Sequence, residues 1–519
     1  MGIAKYFSKD LLAINQVLKN SNKNLEGILL KTKVGIAFDT NAIETNEGIK
    51  ALDLAVRLLA RLYPNINIFD VSGKHETEIK RLQQLAKSIN ASITLSSEVA
   101  NLDVMLVAGE TKLIPKTSGR ILFFGSDNWN SKFSLNNIQR FQDTDNPFGC
   151  GVAACIAVSN TFRFLFKEFI ADKVLDDELN FSTLYFSNSN TDHNPELRST
   201  ELKDVVLVGI GAIGNGAIWA LSNIPMLEGR LDIVDNEEVA LSNLQRYVLF
   251  DEKDIEKSKV ESAQKSFTKA KLKVTPFHTS WAGYLKERNN WKIETVAVAI
   301  DNKRDRIGIQ SALPRQIVNA YTESNLLGIA RHTDFVNSAC LACGYIPLQK
   351  EKNYINEVAD NCNIPTLSNL VKDYINLNLG VETVIFPQNT SSLLDVVAQA
   401  NGIPREQLTQ FHGKKINQFY SEFVCGGISL SMSTVENKTN NLDAPLAFQS
   451  AMAGILLAAE LVIDAGDLRQ NAIAQQSHIY PLNPMGKLNP YNHRLSKDTS
   501  GRCLCGDTDF QNQSLMKWK

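Results

Sequence analysis

The chain has 519 residues, a formal net charge of −2, 44% hydrophobic and 21% charged residues. That length supplies core for about three to four domains, and the near-neutral balance gives no reason to expect nucleic acid or an anionic membrane as a bulk electrostatic partner. Eight cysteines are too sparse for a disulfide scaffold and read better as metal ligands, nucleophiles or core residues of a reducing compartment.

The N-terminus, MGIAKYFSKDLLAINQ, lacks the apolar core of a signal peptide, and Tyr6 breaks the myristoylation pattern. Residues 1–30 alternate apolar and polar positions at helical spacing. KVGIAFD predicts a strand, NEGIKALDLAVRLLARLY an amphipathic helix, and NINIFDVS a second strand. ETEIKRLQQLAKSI predicts another helix, and VMLVAG and RILFFG further strands. Such alternation predicts a parallel sheet covered by helices. NPFGCGVAACIAVSNTFRFLFKEFI closes this half as an apolar helix. The Ser-, Asn- and Thr-rich NFSTLYFSNSNTDHNPELRST reads as a linker or surface hairpin. The late run AMAGILLAAELVI, about thirteen residues, is too short to span a bilayer. A cytoplasmic protein is expected.

After the linker the pattern starts again, and the halves read as variants of one plan. DVVLVGIGAIGNGAIWALSNIPMLEGRLDIVD follows the order of KVGIAFD through NINIFD; VAVAIDN parallels VMLVAGE, and DAPLAFQSAMAGILLAAELVI parallels the apolar helix of the first half. The first copy has Phe38-Asp39-Thr40-Asn41 where close phosphate approach needs glycine. It is therefore expected to be degenerate; two unrelated α/β domains are the alternative. The expected organisation is 1–175 inactive domain, 176–200 linker, 201–345 active domain, 346–425 largely helical insertion, and 426–519 remainder of the active domain with its tail.

Gly209, Gly211 and Gly214 form a turn whose amides and following helix face a phosphate. Asp235, ending the next strand, is placed to hold ribose hydroxyls, which also fits NAD. The segment DNEEVALSNLQR and Lys259 decide between nucleotides. Hydride transfer has no use for Asn, Arg and Lys beside the ribose acid, whereas cleavage of ATP between its α- and β-phosphates does. Arg246 and Lys259 would neutralise the departing pyrophosphate, Asn243 would hold a phosphate or ribose oxygen, and Asp301 would hold Mg²⁺.

GIGAIG, IVDNEEVALSNLQR, KSKVESA and AIDN together resemble the adenylation domain of ThiF/MoeB-like proteins, bacterial relatives of ubiquitin-activating enzymes. The resemblance covers about residues 200–345 closely and 420–465 more loosely. It implies two Rossmann-like ThiF-type adenylation domains, as a homodimer or fused pseudodimer, using ATP and Mg²⁺. The implied reaction is adenylation of the C-terminal glycine of a ubiquitin-like protein, followed in many members by transfer to a cysteine and to a conjugating enzyme. It also implies an arginine from the partner domain; Arg57 and Arg61 are candidates that no motif fixes.

Cys340-Leu-Ala-Cys343 and Cys503-Leu-Cys505 form a four-sulfur set suited to structural Zn²⁺. Relatives with this site use two such pairs; the one-residue spacer of the second is a departure. Cys150 and Cys155, in an apolar helix, read as core. Cys425 precedes the helix FQSAMAGILLAAELV, where relatives carry a nucleophilic cysteine, and is the favoured thioester site. Cys362, flanked by asparagines and expected to be exposed, is the alternative; a structural role for both is the third reading. An NAD-dependent oxidoreductase leaves SNLQR and Lys259 unexplained. A non-catalytic scaffold for ubiquitin-like proteins leaves the intact second-half set unexplained. A sulfur-carrier adenylyltransferase remains the nearest enzymatic alternative.

Overall fold

A computed structural model describes residues 14, 25–96, 101–111, 116–170, 173–188, 193–288, 290–323, 325–346, 354–385, 390–420, 423, 445–486 and 491–519. The chain divides into two compact units, the larger built mainly from Lys23–Ile346 and Pro445–Lys519 and the smaller mainly from Pro347–Ala444. Apart from Ile14, the helix expected over the first two dozen residues lies outside the described residues.

The larger unit holds two sheets. The first contains β1 (Val34–Phe38), β2 (Asn65–Asp70), β3 (Thr94–Ser96), β4 (Val104–Ala108), β5 (Arg120–Asp127), β6 (Asn130–Ser134) and β7 (Glu178–Ser182), in the order β3-β2-β1-β4-β5-β6-β7. The second contains β8 (Thr200–Val208), β9 (Leu227–Val234), β10 (Lys273–Phe277), β11 (Thr295–Val298), β12 (Gln316–Thr322), β13 (Leu327–His332), β14 (Gln476–Ile479) and β15 (Tyr491–His493), in the order β10-β9-β8-β11-β12-β13-β14-β15. In each, five parallel strands come first and antiparallel strands finish the edge. The shared order supports the reading of two copies of one plan.

The central strands are continuous apolar runs because both sheet faces are covered. Two 19-residue helices do much of the covering: α2 (Pro147–Leu165), which follows α1 (Asn46–Leu62), and α5 (Ala447–Ala465), which follows α3 (Ala212–Ser222) and α4 (Lys303–Ser311). Shortness does not explain the apolar run of α5, contrary to expectation. Both 19-residue helices are long and apolar enough to cross a bilayer, but 89% of each apolar window is buried inside the fold. They meet through Phe162 and Phe448, with ring centroids 6.1 Å apart. α3 and α5 cross almost backbone to backbone: a Cβ on Gly454 would strike the Ile213 carbonyl, and one on Gly216 would lie 2.6 Å from that of Ala451.

The polar stretch after α2 is not a solvated linker. β7 adds the last strand of the first sheet, and Leu179, Phe181, Leu184 and Phe186 are buried. Its polar residues satisfy backbone: Asn194 donates to the Asp127 carbonyl at 3.1 Å, and Pro195 accepts from Trp129 Nε1 at 2.9 Å. Composition hid this, because the alternating apolar positions are few.

The smaller unit is helical, as expected of the insertion. Tyr354–Asn361, Ser368–Asn376, Leu393–Asn401 and Ile416–Tyr420 surround a core of Val371, Leu394, Val397, Phe411, Phe419 and Phe423. Ser392 and Asp395 form a capping box on the third helix, and Gly402 ends it at φ 63°. The second helix expected in this stretch is a 3₁₀ turn, Arg405–Phe411.

A largely buried triad fastens the turn after β7 to the second copy. Glu460 of α5 accepts from Arg331 at 2.7 Å and from Arg469 at 2.9 Å, both guanidiniums lie over the Phe186 ring, and Arg469 also donates to the Leu184 carbonyl. Burial works to raise the Glu460 pKa, but the two arginines outweigh it and hold it at about 2. Its stabilisation is complete above the ordinary glutamate range and is lost as pH falls toward 2. Glu460→Gln should cost about 3–5 kcal/mol at pH 7, because it leaves two mostly buried cations without their counter-charge. Thermal melts should show the gap from wild type closing between pH 4.5 and pH 2.

Candidate functional site

In the second sheet Val208 is paired with both Val234 and Val298. The chain therefore leaves β8, β9 and β11 at one level, where the strand order reverses and α/β sheets bind ligands. Gly209 follows β8 with φ +95°, a conformation that L side chains rarely adopt, and its amide donates to the Val234 carbonyl at 2.9 Å. A Cβ there would press on Ala299 and Ile300, and one on Gly214 would strike the Gly209 carbonyl. Gly211 caps α3 with no side chain, and the nearest atom to a Cβ there is the Tyr247 hydroxyl at 3.5 Å. The first-turn amides of α3 thus open on a space bounded by Tyr247, as an anion site requires.

Asp235 is fixed by its own surroundings: Oδ2 accepts from the Ile210 amide at 2.7 Å and Oδ1 from the Glu237 amide at 2.9 Å. Burial raises its pKa, and the nearby Lys259 offsets this only in part. Lys259 begins a short helix and is itself buried. Its ammonium donates to Glu237 at 2.5 Å and to the Tyr247 hydroxyl at 3.3 Å, and lies 5.3 Å from the Tyr247 ring centre. Burial opposes its charge, but Tyr247, Asp235 and Glu237 prevail and hold the group above the ordinary lysine range. An incoming phosphate would meet a fixed cation and compete with the exposed Glu237 for it.

Asn243 ends a 3₁₀ turn, where its Oδ1 accepts from the Ala240 amide at 2.9 Å, so its amide nitrogen is the group left for a ligand. Arg246 is half-buried and has no ion-pair partner among the described residues. Asp301 is exposed, two residues beyond the Ala299 that touches the glycine turn. Burial and Asp301 together raise the pKa of Asp305, one turn along. The glycine turn, Asp235, Lys259 and Asp301 therefore gather at one sheet end.

Three contributors were not singled out in the sequence. Asn215 is buried in α3; its Nδ2 donates to the Ile210 and Gly211 carbonyls, each at 3.0 Å, and its Oδ1 accepts from the Leu249 amide at 3.2 Å. A lone amide in the apolar helix AIGNGAIWAL was the available signal. Tyr247 and Glu237 flank the motif residues and only their contacts show their place. Arg57 and Arg61 of α1 do cross to this site, but they hold backbone. Arg61 donates to the carbonyls of Leu244 at 3.0 Å, Tyr247 at 2.6 Å and Phe250 at 2.9 Å, and Arg57 donates to that of Val248 at 3.0 Å. The segment carrying Arg246 and Tyr247 is thus shaped by the first copy.

The first copy presents the opposite chemistry at its own strand reversal. Asp39 caps the helix after β1, accepting from the Ala42 amide at 3.1 Å, and its carboxylate fills the space beside Gly109. Burial raises its pKa. A phosphate would meet a carboxylate there and no glycine turn.

The four paired cysteines converge. Five of the Sγ–Sγ distances run from 3.3 to 3.9 Å, and all four sulfurs lie within 4.8 Å of one another. Tetrahedral Zn²⁺ with bonds of about 2.3 Å spaces sulfurs by about 3.8 Å, so this set fits such an ion, and the one-residue spacer of the second pair does not prevent closure. Cys150 and Cys155 are buried in α2, and burial pushes their thiols well above the usual range. Cys362 is not exposed as expected: it packs in the core of the smaller unit, 1% accessible, because the turn that ends the helix Tyr354–Asn361 carries it inward, its amide still bonded to the Val358 carbonyl at 3.0 Å. Cys425 lies outside the described residues.

A model described as the ThiF family matches residues 194–462, and one described as prokaryotic E2 family C matches residues 37–167. The uncharacterized protein y4jF of Sinorhizobium fredii (strain NBRC 101917 / NGR234) is 36% identical over 512 residues, covering 98% of this chain and 96% of its own. Among solved structures, E. coli MccB with ATP is 16% identical with a TM-score of 0.35 over 60% of this chain and 68% of MccB. E. coli MccB with MccA-N7isoASN is 15% identical with a TM-score of 0.34 over 59% and 67%.

Arg61→Met should weaken binding of a non-hydrolysable ATP analogue by about tenfold or more, since charge-assisted bonds to three carbonyls are each worth roughly 1.5–3 kcal/mol. Isothermal titration calorimetry on the folded variant checks this. An unchanged Kd would mean that the Asn243–Phe250 segment holds its shape unaided.

Proposed function

The chain belongs to the ThiF family, and on that premise we propose that it is an ATP-dependent activating enzyme for a ubiquitin-like protein. The observation that carries the reading is the gathering of an uncapped helix start, a buried charged lysine, a fixed acid and an exposed aspartate at one sheet end. The carrier's C-terminal glycine carboxylate, already ionised at neutral pH, attacks the α-phosphorus. A carboxylate–phosphorus bond forms as the bond to the bridging oxygen breaks, and pyrophosphate leaves with the electron pair. The chain's work is positioning and charge neutralisation. The α3 amides and Lys259 hold the phosphates, Arg246 neutralises the leaving group, Asn243 and Asp235 hold phosphate or ribose oxygens, and Asp301 is the residue that would hold Mg²⁺. That ion supplies further charge neutralisation when bound. Cys340, Cys343, Cys503 and Cys505 would hold Zn²⁺, tying the C-terminal tail to the core.

In the second stage a cysteine thiolate attacks the acyl-adenylate carbonyl and expels AMP, and the thioester passes to a conjugating enzyme. Cys425 is the favoured nucleophile. The burial of Cys362 weighs against the alternative, because a thiol closed off from solvent and pushed into an apolar core is a poor nucleophile. A sulfur-carrier adenylyltransferase would stop at the adenylate and receive sulfur instead.

Incubation with ATP, Mg²⁺ and small proteins ending in glycine tests both stages. Mass spectrometry of the carrier after hydroxylamine quenching should show the hydroxamate, and a Lys259→Ala variant should form it at least about a hundredfold more slowly. Non-reducing gels should show an adduct that survives Cys362→Ala and disappears with Cys425→Ala. Hydroxamate without any reducible adduct would favour the sulfur-carrier reading, and absence of both products would overturn activation.

A further inference from the structure

Arg306 lies one turn into α4, directly after the loop that carries Asp301. It is buried, yet among the described residues it forms no ion pair with a carboxylate. Its donors go elsewhere. Nε and Nη2 both donate to the Ile300 carbonyl, Nε at 3.1 Å, and Nη1 donates to the Tyr345 hydroxyl. The guanidinium lies 4.8 Å from the Tyr345 ring centre and 5.9 Å from that of Tyr321. Tyr345 also accepts from Asn319 Nδ2 at 3.1 Å, and Asn319 pairs in register with Val298 at the site end of β11. Ile300 therefore links two things: its carbonyl is gripped by Arg306, and its side chain packs on Gly209 of the phosphate turn.

The far side of this contact is the cysteine knuckle. Tyr345 is two residues after Cys343. Gln310 of α4 accepts from the Leu341 amide at 2.8 Å, and Ile307 packs against the cluster of Cys340, Ala342, Cys503 and Cys505. The helix that follows Cys505 holds the other end of α4: Lys517 donates to the Ala312 carbonyl at 2.7 Å and Trp518 to that of Leu313 at 3.1 Å. Both cysteine pairs thus bear on one helix, and that helix starts at the Asp301 loop.

We infer that Arg306 is a positioning residue for the Asp301 loop, transmitting to it the order that the tetracysteine knuckle imposes through Tyr345. The inference rests on the activating-enzyme reading for the purpose of the loop, and on the contacts alone for the coupling. A fork suits this task because separate guanidinium nitrogens reach the Ile300 carbonyl and the Tyr345 hydroxyl at once, whereas lysine brings one nitrogen to both.

The test uses the full chain loaded with Zn²⁺, in Tyr345→Phe, Arg306→Lys and Arg306→Gln variants. Tyr345→Phe removes one hydroxyl and is the mildest of the three. Hydrogen-exchange mass spectrometry should show peptides spanning 300–305 exchanging about tenfold faster in all three variants, with zinc content at one per chain. Wild type stripped of zinc should show the same local rise. The Mg²⁺ concentration for half-maximal pyrophosphate exchange should rise by about tenfold, with kcat changed much less. Restoration of both readouts by Arg306→Lys would overturn the inference, because charge alone would then suffice. So would wild-type exchange rates at 300–305 in Tyr345→Phe and Arg306→Gln, or in the stripped protein. A wild type with no pyrophosphate exchange would overturn the activating-enzyme reading and the Mg²⁺ role with it, and hydrogen exchange would still decide the coupling.

Discussion

The site depends on one cation reaching across from the other copy. Arg61, buried in α1, turns its guanidinium onto the carbonyls of Leu244, Tyr247 and Phe250. Carbonyl oxygens left without donors in an interior are costly, and a planar fork satisfies three of them from one side chain. The segment so gathered carries Arg246 outward and Tyr247 inward, and Tyr247 then meets both Lys259 and the space beside Gly211. Asn215 closes the arrangement from below by joining the glycine turn to Leu249. The groups proposed to hold phosphate, on three separate elements, thereby share one backbone framework.

That framework gives the first copy a role that does not require nucleotide. The two sheets have the same strand order, but Asp39 occupies the place where the second copy has an open glycine turn. What the first copy retains is its helical face. Arg57 and Arg61 hold the second copy's segment, Asp53 accepts from Trp219 of α3, and α2 packs against α5. A fused pair can give up one site and keep the contacts that shape the other, and at the first copy's strand reversal the Asp39 carboxylate stands against a phosphate by charge as well as by geometry.

Much of this was legible in sequence because it is local. The glycine spacing, the acid that ends β9, and the cysteine pairs are each set within a few residues, and the spacing of turns and strand ends follows from backbone geometry. The repeat was legible because apolar periodicity recurs in the same order. Long-range contacts were not. Nothing near Arg61 announces that its partners lie over 180 residues away. Asn215 stands out as a lone amide in an apolar helix, but its link to Leu249 is not local, and the stretch containing β7 was hidden by its polar composition. Cys362 misled for the reverse reason: flanking asparagines suggest exposure, whereas the turn after its helix carries the cysteine into the core. The four-cysteine knuckle was legible as a set, but its grip on α4 through Tyr345 and Gln310 required side-chain geometry.

The claim on which the rest stands is that the pocket at the ends of β8, β9 and β11 brings an ATP α-phosphorus within reach of a carrier's terminal carboxylate. Exchange of labelled pyrophosphate into ATP measures that step directly, because it needs reversible adenylate formation and nothing downstream. The account predicts that label enters ATP when Mg²⁺ and a cognate carrier ending in glycine are present, and that removal of the carrier's last residue abolishes it. ATP that stays unlabelled with every such carrier, in protein that is folded and loaded with zinc, would contradict it.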